Sequence, residues 1–228
     1  ELNIDDQRRH VELVLDIAGE AGVPVEMHCD YMDHADLKTL AMLAAATLER
    51  GLQGRVTASH CNALAVYPDD EAKAVIEQVK EAGIDVTVLP VANLQMLGGP
   101  QRTPRNRGSS RVKELLDAGI NVAAGSDSMF DIWYRFNRLD PVETGYISCL
   151  SAGMRTDDEV RTAFDMVTTR AAKIVGKDAA IAVGAPADLV VHEAPTIVQV
   201  MRNLPGRRLN IKNGRTVGGQ ESSHWCIR

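Results

Sequence analysis

Four times along this chain a helical-looking segment ends near a glycine and gives way to a short apolar run. The runs lie at residues 23–29, 55–59, 85–90 and 121–125, and the unit recurs at about 30 residues, the size of a βα module. This rhythm constrains the fold more than any other feature, because parallel neighbours must be joined by a crossover, usually a helix. Three of the runs end in chemistry. The first carries His28, the second reaches His60, and the fourth continues to Asp127. In a (β/α) barrel the C-terminal strand ends share one active-site face. Two imidazoles and a carboxylate delivered there are the groups that a catalytic metal and its hydrolytic water require.

The helices expected between these runs span residues 5–20, 33 or 36 to about 50, 69–82 and 110–118. In the first, Val11, Leu13, Val14, Leu15 and Ile17 form the apolar stripe, with Asp5 or Asp6 as its cap. Residues 91–110 are rich in Gly, Pro and Arg, lack periodicity, and read as a long loop. Its Arg102, Arg105 and Arg107 either clamp an anionic substrate or are solvated charge. Two further helices are expected over 141–154 and 157–175, the second opening on a capping box from Thr156 to Glu159. Beyond Gly176 the texture changes to short strands at 184–191 and 208–217, with turns at 203–206 and 213–214. The expected division is a barrel-type unit, 1–176, and a β appendage, 177–228.

Composition narrows the function. A formal net charge of −6 argues against a nucleic-acid surface, which wants a basic face. No run approaches the roughly 18 apolar residues of a membrane helix. The four cysteines, Cys29, Cys61, Cys149 and Cys226, show no CxxC spacing, and a reducing, cytoplasmic setting is expected. The chain opens on Glu1, already in helical pattern, which suggests that it begins inside a larger fold.

Taken together, MHCDYMD, RVTASH, the segment RGSSRVKELLDAGINVAAGSDSMFDIWY and the late GAPADLVV resemble the amidohydrolase superfamily, in its cytosine deaminase-like branch. The resemblance implies a metal-dependent (β/α)8 TIM-type barrel with a small C-terminal β-sandwich, of which strands five to eight are visible here. It implies hydrolytic deamination of a small nitrogen heterocycle (cytosine-like, isocytosine-like or pterin-like) at zinc or iron(II). By the same resemblance, His28 is the metal ligand of strand five and His60 contacts the hydrolytic water or the substrate's polar edge. Asp127 touches the metal and takes the water's proton, and Trp133 lines the substrate pocket.

Three departures stand out. Tyr31 occupies the place of a proton-shuttling glutamate, and reads either as pocket wall or as a hydrogen-bond donor to substrate. Ser128 replaces an acidic residue on the substrate side. No HxH pair, the family's strand-one ligands, occurs in the chain. The alternatives are hydrolysis of another C–N bond, as in an N-alkylamino-triazine or cyclic amide, or an incompetent half-barrel. Asp127 could also serve only as a helix cap, and His28 and His60 could be core histidines. An open four-stranded sheet leaves two edges, so self-association into a homo-oligomer is expected.

Overall fold

The computed structural model describes residues 3–98, 108–128, 132, 135 and 138–221 of the chain. Helix α1 (Ile4–Ala21) leads into strand β1 (Val25–Cys29) through Gly22, whose φ of 69° closes the helix in the left-handed region that glycine adopts without a Cβ penalty. Its cap is Asn3, whose side chain accepts the Asp5 N–H, rather than either aspartate. The buried face is Gln7, Val11, Leu15 and Ala18, while Leu13 and Ile17 are 56% and 57% exposed. Apolar residues at those two positions therefore lie off the buried stripe.

Helix α2 (Thr39–Glu49) follows, then β2 (Val56–His60), a 3₁₀ turn (Asn62–Val66) and α3 (Asp69–Glu81). Strand β3 (Asp85–Val88) runs into α4 (Pro90–Met96), a helix inside the stretch expected to be loop. Proline supplies the reason, since its fixed φ suits the first helical position. Helix α5 (Val112–Asp117) leads to β4 (Val122–Ala124). Next come α6 (Pro141–Ala152), α7 (Asp157–Met166) and α8 (Thr169–Ile174). The capping box on Thr156 and Glu159 is present as expected, but the single helix expected over 157–175 is two. Thr168 breaks it with φ −129° and ψ −95°, its hydroxyl turned back onto the Phe164 carbonyl.

Strands β1 to β4 form one parallel sheet in chain order, in the register Val25↔Val56, Thr57↔Asp85 and Val86↔Val122. Every residue of β2 and β4 is buried, whereas β1 alternates, leaving Glu26 and His28 on an open face. Among the described residues the sheet has edges at β1 and β4 and does not close. Strands β5 (Leu189–His192), β6 (Arg207–Lys212) and β7 (Arg215–Gly218) make a separate antiparallel sheet, with a turn at Asn213 and Gly214. Helix α9 (Ile197–Asn203), not expected from the sequence, buries Val200 and Met201 in the main core.

Candidate active site

Strict alternation would send the His60 side chain to the wrong side of the sheet. In register His60 lies opposite Cys29, which is fully buried and shares its strand face with Val25 and Met27. His60 instead has φ 68°, and its ring stands against those of His28 and Tyr31, with centroids 4.8 and 5.8 Å away. A left-handed residue at the strand end turns the imidazole into the cavity. The same device recurs at Asp30 (φ 49°) after β1 and at Asp127 (φ 65°) after β4. Such conformations cost about 1–3 kcal/mol in non-glycine residues and persist where surrounding structure over-determines them.

Here that structure is visible. The Asp30 carbonyl accepts the N–H of Asn62 at 2.8 Å, and the Cys29 carbonyl accepts that of Cys61 at 2.9 Å. The Asp30 carboxylate takes the N–H groups of Thr39 and Leu40 at 2.8 and 3.0 Å, capping α2. The sequence predicts the start of that helix at Asp33 or Asp36. The cap in fact comes from the end of the preceding strand, so the loop 31–38 is pinned at both ends. Burial raises the Asp30 pKa, opposed by the Leu40 and Thr39 amides. Burial likewise pushes the Cys29 and Cys61 thiols well above their usual range, which makes them inert packing beside the histidines.

A cavity of about 600 Å³ is lined by His28, Tyr31, His60, Asp127 and Ser128 together. The His60 Nε2 lies 3.9 Å from Asp127 Oδ2, both side chains being largely buried. Burial lowers the His60 pKa, countered by a hydrogen bond with Asn93 and by the Asp127 charge, with His28 adding to the depression. Trp133 falls outside the described residues, as do Arg102, Arg105 and Arg107.

The lining also holds residues that sequence reading passed over. Asp6, Gln7 and His10 reach it from α1, and Met96 from α4. Their spacing of three and four residues on α1 was the available signal for a shared helix face, although His10 reads from sequence as a residue of a polar face. Gln7 has a structural task as well. It accepts the Lys38 N–H at 2.7 Å and donates to the Asp36 carbonyl, tying α1 to the loop before α2. His34 is exposed and serves Asp36 locally.

Imidazole and carboxylate are donors that zinc and iron(II) accept. Among the described residues, however, no group of three or more His, Cys, Asp and Glu side chains is placed to hold a metal ion. The donor set fits a metal in kind and falls short in number.

The sequence model of the amidohydrolase family matches residues 2–217. The chain belongs to the amidohydrolase family. This amidohydrolase is 35% identical over 203 residues to the pterin deaminase of Rhizobium rhizogenes, an alignment covering 88% of the chain and 46% of that protein. It is 28% identical over 209 residues to the N-isopropylammelide isopropyl amidohydrolase of a Pseudomonas species, covering 91% and 49%. Its backbone matches that of 5-methylcytosine deaminase from Klebsiella pneumoniae, liganded with 5-fluorocytosine, with a TM-score of 0.92 at 27% identity. That match takes in 99% of this chain and 55% of the other. The chain thus spans about half the length of the relatives it matches. The resemblance drawn from the strand-end motifs is therefore a family relationship.

Proposed function

We propose that this chain carries the catalytic face of a metal-dependent hydrolase that deaminates a small nitrogen heterocycle. The observation that carries the reading is the convergence of His28, His60 and Asp127 on one cavity from three different strand ends. In this reading Asp127 accepts the proton of the attacking water, and His60 contacts that water or the polar edge of the substrate. Tyr31 and Ser128 border the substrate. His28 and Asp127 would hold zinc or iron(II), with the remaining donors coming from outside the described residues. We read the parallel sheet as strands five to eight of an eight-stranded barrel, residues 1–176, and residues 177–228 as strands of a β-sandwich. The two free sheet edges favour self-association. The buried free thiols of Cys29, Cys61 and Cys149 suit a reducing, cytoplasmic setting.

A second reading rests on Tyr31. It puts a phenol, not a carboxylate, 5.8 Å from the His60 ring, so a proton shuttle to a ring nitrogen lacks its usual acid. Hydrolysis of an alkylamino group or a cyclic amide is the alternative, and the relative named for N-isopropylammelide makes it concrete.

Ammonia and alkylamine release from pterins, cytosine, isocytosine and aminotriazines decides between them. The assay is run on the chain by itself and on the chain co-expressed with the part of the Rhizobium pterin deaminase that it does not cover. The expected result is weak metal retention after dialysis and no turnover for the chain alone, with ammonia release in the complemented form. Alkylamine release alone would select the second reading. Tight stoichiometric metal and turnover in the isolated chain would show that it recruits other donors.

A further inference from the structure

One buried polar chain leads away from the cavity and is not used by the mechanism above. It starts at a fixed point, the Tyr31 backbone carbonyl, which can only accept. The Asn62 amide nitrogen donates to it at 2.7 Å, so Asn62 Oδ1 points the other way. That oxygen can only accept in turn, and receives Asn93 Nδ2 at 2.9 Å. The orientation of the second amide is thereby set, with Asn93 Oδ1 facing His60 Nδ1 at 3.2 Å. An amide oxygen there requires a proton on Nδ1. Each step follows from donor and acceptor inventory, and Asn62, Asn93 and His60 are buried, so water does not scramble the order among them.

We propose that Asn93, oriented by Asn62, is a positioning residue that holds His60 as its Nδ1–H tautomer and turns an unprotonated Nε2 toward Asp127 and the cavity. The inference rests on the reading that His60 faces the reacting groups, and it deepens that reading. Two acceptors, Nε2 and the Asp127 carboxylate, stand 3.9 Å apart at the cavity wall. The point between them selects a ligand with hydrogens to give: a water, an amino group or a ring N–H. A carbonyl oxygen is disfavoured there.

The backbone supports the assignment. Gly108, at φ 64°, packs so tightly on α4 that a Cβ would come within 2.7 Å of the Asn93 carbonyl oxygen. Nearby, Ser110 Oγ donates to the Cys61 carbonyl at 2.7 Å, fixing the residue that follows His60. Both ends of the His60–Asn93 contact are therefore clamped by the segment 108–110.

The test is the long-range proton–nitrogen NMR spectrum of the His60 ring in metal-free protein, at about pH 8, above the ordinary histidine range. The expected result is a single Nδ1–H tautomer. An Nε2–H tautomer, or an even mixture, in the unaltered chain would overturn the proposal whatever any variant does. Asn93→Leu removes the acceptor and should mix the tautomers. It should also lower kcat/KM in the complemented form by about 10–100-fold, the loss typical of removing a group that orients such an imidazole. Asn93→Asp keeps an acceptor and should keep the tautomer. Unchanged tautomers in a folded Asn93→Leu protein would also overturn it. An Nδ1–H tautomer with no ammonia release from the complemented form would sink the deaminase reading and leave this one standing.

Discussion

The two sheets of this molecule are built to opposite specifications. In the parallel sheet β2 and β4 are buried on both faces, and its strand ends carry His28, His60 and the approach to Asp127. In the antiparallel sheet no strand residue is buried, and β7 is exposed along its whole length. A buried strand transmits the position of its neighbours to the residue at its tip, because close-packed interiors yield little. An exposed strand holds register through hydrogen bonds and the Asn213–Gly214 turn. The difference teaches why a left-handed histidine is sustained at the end of β2, whereas the left-handed positions of the small sheet fall at a tight turn.

The largest expected contrast is catalytic. In the complemented form, His60→Ala or Asp127→Asn should each lower ammonia release by about 10²–10⁴-fold, the range for groups that move or steady a proton, and His28→Ala should lower it at least as far by loosening the metal. His192→Ala, at the end of β5, should leave it unchanged. Steady-state kinetics on the four variants would break the comparison if the β5 histidine mattered as much.

Stability comes next. Leu43 on α2 is 0% exposed, and Leu43→Ala should cost about 2–5 kcal/mol in urea unfolding. Val217 on β7 is 66% exposed, and Val217→Ala should stay within about 0.5 kcal/mol. Equal losses would mean that the small sheet is covered in solution.

Two glycines sharpen the point at matched conformation. Gly108 and Gly214 have φ of 64° and 73°, but only Gly108 has a neighbour where a Cβ would go. Gly214→Ala should cost about 1–2 kcal/mol, the left-handed penalty alone. Gly108→Ala adds a backbone clash with Asn93 and should cost more, with a fall in activity that Gly214→Ala lacks. Thermal melts and kinetics on both variants check this.

The smallest effects are electrostatic. Glu159 is held down to about 2 by the Arg155 amide, the Lys113 ammonium and the Thr156 amide, and Asp188 is lowered by Lys212 and then the Asn213 amide. A carboxyl with a depressed folded pKa stabilises above its unfolded value, about 4.5 for Glu159, and that contribution is lost as pH falls toward the folded value. Glu159→Gln and Asp188→Asn should therefore each flatten the acid side of the melting-temperature profile. A steeper acid side in either variant would reverse the assignment.

The parallel sheet was legible in the sequence because short apolar runs recur at the spacing of one βα unit, and glycine marks where each helix stops. The capping box of α7 was legible because it is local. What escaped depended on contacts between distant residues. Thr39 follows no capping residue, since its helix is capped by Asp30 nine positions earlier. Helix α4 is seven residues long and sits in a Gly- and Pro-rich stretch, too short for a periodicity to show. Asn62 and Asn93 carry no motif, and their meaning comes only from the carbonyl of Tyr31 and the ring of His60. Leu13 and Ile17 fit a helical stripe on paper but face outward, because the burial boundary on α1 is drawn by α2 rather than by hydrophobicity.

Strand order equal to chain order has a kinetic consequence. Each strand of the parallel sheet pairs with the one synthesised just before it, about one βα unit away. Within β1 to β4, among the described residues, no pairing needs a distant partner, so the loop-closure entropy of each stays that of a single crossover. As the chain leaves the ribosome the sheet can lengthen from β1 toward β4 one unit at a time, with its growing edge as the only template that the next strand needs.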